Sequence, residues 1–312
     1  MKNIFKRKQD ASGVSARYYG GRSEHIQGYV FLGPGIIITS IFIAAAVLFV
    51  LFMSFMRVDM FRGTYEFIGF QNYINVLTDP LFMVALRNTL RFSAVVVPIQ
   101  TFIALVIASV LNSKIKGKTI FRAIYFLPTL TSSSALTLIF MFMFNVRGPV
   151  NSMLMEMGFI SSNIDFLGNP TWALSVIMLM NIWSTVPFYM TLYLASLQDL
   201  PASMYEAAAI DGAGPSKTFF YITIPYLKPI TTFVLVTGII GTLQMFDQAY
   251  IFSNGSGGPQ NSTLVLALMV YRRAFGTMGM MGNASALAII LGVIIMILAQ
   301  IAKRLNKEER VY

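Results

Sequence analysis

Tyr205-Glu206-Ala207-Ala208-Ala209-Ile210-Asp211-Gly212-Ala213-Gly214-Pro215 is a polar interruption between two apolar segments, each long enough to cross a membrane. Read by itself it is a short helix, a sharp Gly-Ala-Gly-Pro break, and a second short helix through Lys217 to Ile224, closed by Pro225. Three consecutive alanines let another surface approach the backbone closely, and the glycine-proline break folds the two pieces against each other. A solvated connector is the plain alternative. The features fit better with a rigid helix that docks into a partner's groove.

The composition sets the environment of that stretch. Of 312 residues, 56% are hydrophobic and 12% charged, about half the charged fraction of a soluble domain. The chain reads as an integral membrane protein. Its net charge of +10 does not indicate nucleic acid, because the basic residues cluster beside apolar runs and not along one amphipathic face. There are no cysteines and one histidine, His25, outside every span, so disulfides, thiolate metal sites and histidine chemistry are set aside. No metal or cofactor is expected. The first 28 residues lack the short apolar core and small-residue cleavage site of a secretory signal, so the N-terminus is expected to be retained.

Six apolar runs meet the length of roughly 20 residues needed for a crossing: about 29–56, 88–111, 124–144, 172–197, 230–251 and 284–302. Gly33-Pro34-Gly35 marks a bend or helix start in the first. Residues 57–79 read as an external loop with short amphipathic pieces, and 145–170 as a second one. The run Pro128-Thr129-Leu130-Thr131-Ser132-Ser133-Ser134 makes span 3 polar and small, which suits close helix contact or a cavity wall. Residues 264–270 are apolar but too short to cross, so they re-enter the membrane or lie at its surface. With six spans, both termini fall on one side together with the stretch at Glu206. That side then carries 16 of the 23 lysines and arginines, which the positive-inside rule makes cytoplasmic. The expected division is a cytoplasmic segment 1–28, a membrane domain 29–302 with the docking stretch at 200–225, and a cytoplasmic tail 303–312.

Enzyme signals are thin. Gly117-Lys118-Thr119 ends like a phosphate-binding loop, but the pattern needs glycine at position 112, which is Asn112. Asp247 is the one acid placed within a span. An intramembrane carboxylate raises proton or sodium coupling, as in a secondary transporter; an interfacial acid capping the outer end of span 5 is as good a reading. Span 4 carries Asn181, Trp183, Ser184, Thr185, Pro187 and Tyr189 at mid-depth, where transporters tend to place binding groups.

Glu206-Ala207-Ala208, then Gly212, Ile222 and Pro225, resembles the EAA motif of bacterial ABC importer permeases, E-A-A-x3-G-x9-I-x-L-P, with Ile224 where leucine is usual. Gly257-Gly258-Pro259 followed by Thr263, Phe246-Asp247 with Tyr250, Pro128, and Gly148 with Asn151 narrow the resemblance. They resemble carbohydrate-uptake permeases of the maltose, multiple-sugar and glycerol-3-phosphate type, over essentially 29–303. The additional N-terminal spans and large external domain of the maltose transporter's larger subunit are not expected here.

The resemblance implies an all-α polytopic membrane protein with six transmembrane helices, the type I ABC importer permease fold and a cytoplasmic coupling helix. It implies a non-catalytic subunit in membrane lipid, with a cytoplasmic ABC ATPase dimer, a second homologous permease and an extracellular or periplasmic solute-binding protein as partners. Carried over, Glu206 makes the polar contact with the ATPase, Ala207 and Ala208 form the close-approach face, Gly212 turns the chain, and Asp211 and Gly214 complete the coupling element. Positions matching the maltose subunit's sugar contacts are Asn181, Thr185 and Phe188 in span 4, and Gly238, Thr242 and Met245 in span 5. The implied cargo is a neutral sugar, with an oligosaccharide leading. No cluster of lysine or arginine lies mid-membrane in these two spans, which speaks against glycerol-3-phosphate or another strong anion.

Overall fold

The computed structural model describes residues 22–59, 63–112, 118–276 and 280–306. The basic residues Lys2, Lys6, Arg7, Lys8, Arg17, Lys114, Lys116, Lys307 and Arg310, and Gly117 of the phosphate-loop-like triplet, lie outside them. Contacts divide the chain into two units, 1–52 and 53–312. In the first, helix α1 (Arg22–Thr39) continues through Gly33-Pro34-Gly35 without interruption, and a π-helical turn follows at Ser40–Ala44. Helix α2 (Ala45–Ser54) continues it, so the apolar run forms one span, Gln27–Ser54.

The second unit begins with a feature that the sequence reading did not contain. Strands β1 (Met56–Asp59) and β2 (Thr64–Phe67) form an antiparallel hairpin, Met56 opposite Phe67 and Asp59 opposite Thr64. Each strand is only four residues long, too short for an alternating pattern to stand out. Helix α3 (Gln71–Thr78) follows, and Asn72 ties it to the chain entering the hairpin by donating to the carbonyls of Ser54 and Met56, both at 2.9 Å. Helix α4 (Pro80–Asn112) is the longest element, at 33 residues.

Span 3 is not one straight helix. It consists of α5 (Lys118–Leu130) and α6 (Ser133–Met143), bent by 103° where they meet. The break falls in the hydroxyl-rich run 128–134. Ser132 adopts an extended conformation and its Oγ caps α6 by accepting from the Ala135 amide, 3.2 Å. Short hydroxyl side chains favour such caps over helix interiors. Counting the bent pair as one crossing gives six spans; five others among the described residues meet the criterion without it.

Helix α7 (Pro149–Glu156) starts at Gly148, where a Cβ would stand 2.6 Å from the carbonyls of Phe142 and Met143. Asn151, buried, donates to the Asn145 and Ile164 carbonyls and accepts from the Ile164 amide, 2.9–3.1 Å. The pair Gly148 and Asn151 therefore closes this loop. Helix α8 (Pro170–Gln198) is the mast of the unit, with two thirds of its most apolar window buried and buried residues on every side from Ala173 to Leu197. A helix apolar all round belongs in the centre of a bundle. It packs chiefly along α4.

Beyond α8 come α9 (Ala202–Ile210), α10 (Pro215–Thr218) and α11 (Ile224–Tyr226), with a π turn at Phe219–Thr223 joining the last two. Helix α12 (Lys228–Leu243) breaks at Gln244 and resumes as α13 (Asp247–Ser253), so span 5 is kinked. The loop after it is closed on itself: the Thr263 amide and hydroxyl donate to Gly257 and Gly258, 3.1 and 2.8 Å. Helix α14 (Leu266–Phe275) buries Leu266, Leu268 and Met269, packs on α4 and α15 and does not cross. Helix α15 (Met281–Leu305) is the last span.

Candidate functional site

The stretch at Glu206 folds as a helical hairpin. Its turn is closed from the end of α9 by two backbone bonds, from Ala213 to Ala208 at 2.9 Å and from Gly212 to Ala209 at 3.1 Å. This paired closure requires a left-handed residue after the helix. Gly212 supplies it with φ +73°, a conformation that a Cβ disfavours. Pro215 then opens the second helix with its φ already set, its missing N–H costing nothing in a first turn. The Tyr205 and Thr223 hydroxyls, 3.2 Å apart, brace the two arms.

The exposed side of α9 carries Glu206, Ala207 and Ile210, the last 87% exposed. Glu206 has no hydrogen-bond or ionic partner among the described residues. Ala208 does not share this face: it is 6% exposed and turned into its own chain, so the exposed face shows Ala207 with Ile210 and not Ala207 with Ala208. Residues 206, 207 and 210 fall on one helical face while 208 lies some 100–200° away. Asp211 caps the end of α9, exposed, and Gly214 stands before Pro215 with an ordinary φ of −70°.

Behind the hairpin lies a cleft of about 490 Å³, bordered by Ser109 and Asn112 of α4, Leu197 of α8, and Tyr205, Phe219 and Thr223. The hairpin is thus held mainly by its two connections. One is the end of α8 through buried Leu200, and the other is the start of α12 through buried Leu227. The hairpin is thus connected directly to α8 and α12, the two helices that carry the expected sugar positions.

Those positions do not form a common open wall. Thr185 donates to Gln100 Oε1 of α4 at 2.7 Å, and Thr242 to Ser93 Oγ of α4 at 2.8 Å. Gly238 lies against Gln100, whose Nε2 would be 2.7 Å from a Cβ there. Asn181, Thr242 and Met245 are 8%, 4% and 5% exposed, and Gln100 1%. The arrangement is a polar seam joining α4, α8 and α12, built from small and hydroxyl groups as in close membrane helix contacts. Phe188 stands apart, 46% exposed with its edge to Tyr189. Of the six, Phe188 alone is an exposed side chain. The neighbouring exposed groups on the same helices are Trp183 and Thr191 of α8, and Gly241 and Gln244 around the end of α12.

Gln100 and Ser93 belong to span 2, outside the two spans that the resemblance singled out. Their signal was present: Gln100 is the one amide in the charge-free run 92–111, seven residues from Ser93 and so on the same helix face. Gly238→Ala is expected to lower the unfolding temperature of the purified permease while leaving the KM of uptake within about twofold, because it crowds the Gln100 amide in a packed seam. A raised KM at unchanged stability would restore Gly238 to the sugar site.

Asp247 is exposed, in the first turn of α13, where a carboxylate is favoured by the unsatisfied N–H groups of a helix start. At the same end, Arg273 pairs with Asp79 and donates to Asn283 Oδ1, linking the start of α4 to α14 and α15. Burial pushes the Arg273 guanidinium below its ordinary value, and Asp79 opposes the shift. Phe246, Tyr250, Tyr271 and Phe275 form an aromatic run beside it, successive rings 5.1–5.5 Å apart. No metal-binding group of histidine, aspartate or glutamate occurs among the described residues.

Comparison with known proteins places these features in a family. Residues 100–310 match the model described as "Binding-protein-dependent transport system inner membrane component". The lactose transport system permease protein LacF of Rhizobium radiobacter is 37% identical over 287 residues, covering 91% of this chain and 93% of that one. The multiple sugar-binding transport system permease protein MsmF of Streptococcus mutans is 34% identical, covering 90% and 95%. The trehalose/maltose transport system permease protein MalF of Thermococcus litoralis is 32% identical, covering 86% and 90%. Among solved structures, a chain of a bacterial ABC transporter involved in the import of the acidic polysaccharide alginate superposes with a TM-score of 0.79. It is 22% identical and covers 91% of this chain and 96% of that one.

Proposed function

The chain belongs to the binding-protein-dependent transport system inner membrane component family, and from that premise we propose that it carries a neutral sugar, an oligosaccharide first among the candidates, through the membrane. It is a multi-pass permease subunit and not an enzyme. The observation that supports the sugar reading is that relatives matched over most of their length are permeases of lactose, multiple-sugar and trehalose/maltose systems.

In this reading a periplasmic binding protein presents the sugar at the end where α14 covers α4 and α15. A second, homologous permease completes the pathway. The face formed by Glu206, Ala207 and Ile210 docks on a cytoplasmic ATPase dimer, which supplies the energy. Closure of that dimer moves α9 as a rigid body, and its two connections pass the displacement to α8 and α12. Both termini then lie in the cytoplasm. Phe188, beside Trp183 and Thr191, offers an apolar face to a pyranose ring, and hydroxyl groups offer hydrogen bonds to its substituents.

The test is reconstitution of this permease with its co-purifying subunits and cognate binding protein in liposomes. Uptake of labelled lactose or maltotriose is expected to require internal or external ATP on the side of the hairpin and to be indifferent to an ionophore. Uptake that continued without ATP and collapsed with the ion gradient would assign the energy to Asp247 and overturn the reading.

A further inference from the structure

Two arginines of α4 have no part in the transport reading. Arg87 and Arg91 are four residues apart, one helical turn, and both are exposed. They lie on the side of α4 opposite its buried stripe of Ala85, Thr89, Phe92, Val96 and Gln100. Neither has a carboxylate partner among the described residues; Glu66 is taken by Arg57 and Asp79 by Arg273. The span Gln27–Ser54 has no acidic residue to offer.

Their depth follows from chain geometry. The 20 residues 92–111 between Arg91 and Asn112 carry no charge. At 1.5 Å per residue they extend about 30 Å, the thickness of a hydrocarbon core. Arg91 therefore stands at the boundary of the core on the side away from the coupling hairpin, and Arg87 about 6 Å further out, at the level of lipid phosphates. Below the pair, the exposed face of α4 is apolar, with Val95, Ile99, Phe102 and Val106. Basic residues are disfavoured on that side of a permease oriented by its positive charge, so two adjacent bare guanidinium groups there call for a counter-anion. The surface matches one molecule in both parts: a phosphate at the level of the arginines and acyl chains along the apolar stripe.

We propose that Arg87 and Arg91 bind the phosphate headgroup of an anionic glycerophospholipid in the leaflet opposite the coupling hairpin. Guanidinium forks suit phosphate oxygens bidentately, and the acyl chains run along Val95, Ile99 and Phe102. The site is independent of the identity of the sugar.

The experiment uses the full-length permease with its co-assembled subunits in phosphatidylcholine nanodiscs containing a titrated fraction of phosphatidylglycerol, with bound lipid counted by native mass spectrometry. The native protein is expected to retain phosphatidylglycerol preferentially, R87Q/R91Q to weaken that retention roughly 25-fold, and each single variant about fivefold. Unfolding temperature in pure phosphatidylcholine is expected to be the same for all, since the substituted groups are exposed. Equal retention by native protein and double variant overturns the proposal. So does displacement of the lipid by equimolar inorganic phosphate, which would make the ligand a free anion, or loss of a partner permease from the double variant at unchanged lipid retention.

Discussion

Glu206→Lys is expected to abolish sugar uptake in reconstituted membranes and to cut association with the cytoplasmic ATPase by at least about 30-fold, while the permease inserts and unfolds as before. Glu206 is exposed on α9 and no group of its own chain engages it among the described residues. Substitution of such a residue ordinarily shifts stability by no more than about 0.5 kcal/mol. Truncating one partner of a charged contact that an interface buries costs about 2–5 kcal/mol, and reversal adds repulsion. The two quantities separate cleanly because the fold does not depend on the side chain. Pull-down of the ATPase with detergent-solubilised permease, beside a thermal melt of each variant, reads both. Unchanged association and unchanged uptake would return the hairpin to the status of a solvated connector.

The hairpin was legible in the sequence because each of its decisions is local. Gly212 fixes the turn through a conformation that side chains disfavour, Pro215 fixes the next helix start, and the three alanines leave the helix smooth. The face that the hairpin presents was only half legible. Ala207 and Ala208 are adjacent letters on different sides of α9, and which side looks outward is decided by where Leu200 and Leu227 anchor the ends. The same distinction governs the membrane interior. Spacing placed Thr185, Gly238 and Thr242 within spans 4 and 5, but their use depends on a third helix. Gln100 and Ser93 come from α4, 85 and 149 residues away in the chain from Thr185 and Thr242 respectively, and they turn the polar layer into a helix seam. A hydroxyl in an apolar span has two good uses, a cargo or another helix, and its own segment does not choose between them. Span 3 shows both uses at once: Thr129 donates to the Ser184 carbonyl of α8, a helix contact of the kind that the small polar run suits, while Ser132 caps a new helix and turns the chain.

Packing has a consequence for how the hairpin can work. The hairpin joins the end of α8, and α8 is largely buried, its seam to α4 and α12 hydrogen-bonded at two levels, Thr185 to Gln100 and Thr242 to Ser93. Such a seam favours motion of the three helices as a block over sliding between them, since sliding would leave these groups unpaired in apolar surroundings. The cleft behind the hairpin and the kink at Gln244 are where adjustment is cheapest.

The opposite end of that block must then hold together while it moves, and Gly282 tests whether it does. Gly282 is in the first turn of α15, where an added Cβ would fall 1.9 Å from the Met56 carbonyl, 2.9 Å from Asn72 Nδ2 and 3.0 Å from the Met53 carbonyl. Two of these three are backbone atoms at the entry to β1, so no side-chain rotation relieves the clash. Asn72 is 5% exposed and spends its amide on the carbonyls of Ser54 and Met56. The added group crowds both ends of the Asn72 Nδ2 to Met56 carbonyl bond, and driving these two atoms apart leaves that carbonyl without its donor. Overpacking alone costs about 1–3 kcal/mol and each buried group left unpaired about 1–3 kcal/mol more. Gly282→Val is therefore expected to destabilise the permease by at least about 3 kcal/mol, seen as loss of monodisperse protein on size-exclusion chromatography and a depressed unfolding temperature. Gly292→Ala is the control in the same helix. Gly292 is exposed with nothing within 4 Å of an added Cβ, and glycine to alanine in a helix interior gains up to about 1 kcal/mol. If Gly282→Val purified and melted like Gly292→Ala, then α15 would not be seated against β1 and α3, and the clasp at this end of the bundle would have to be drawn differently.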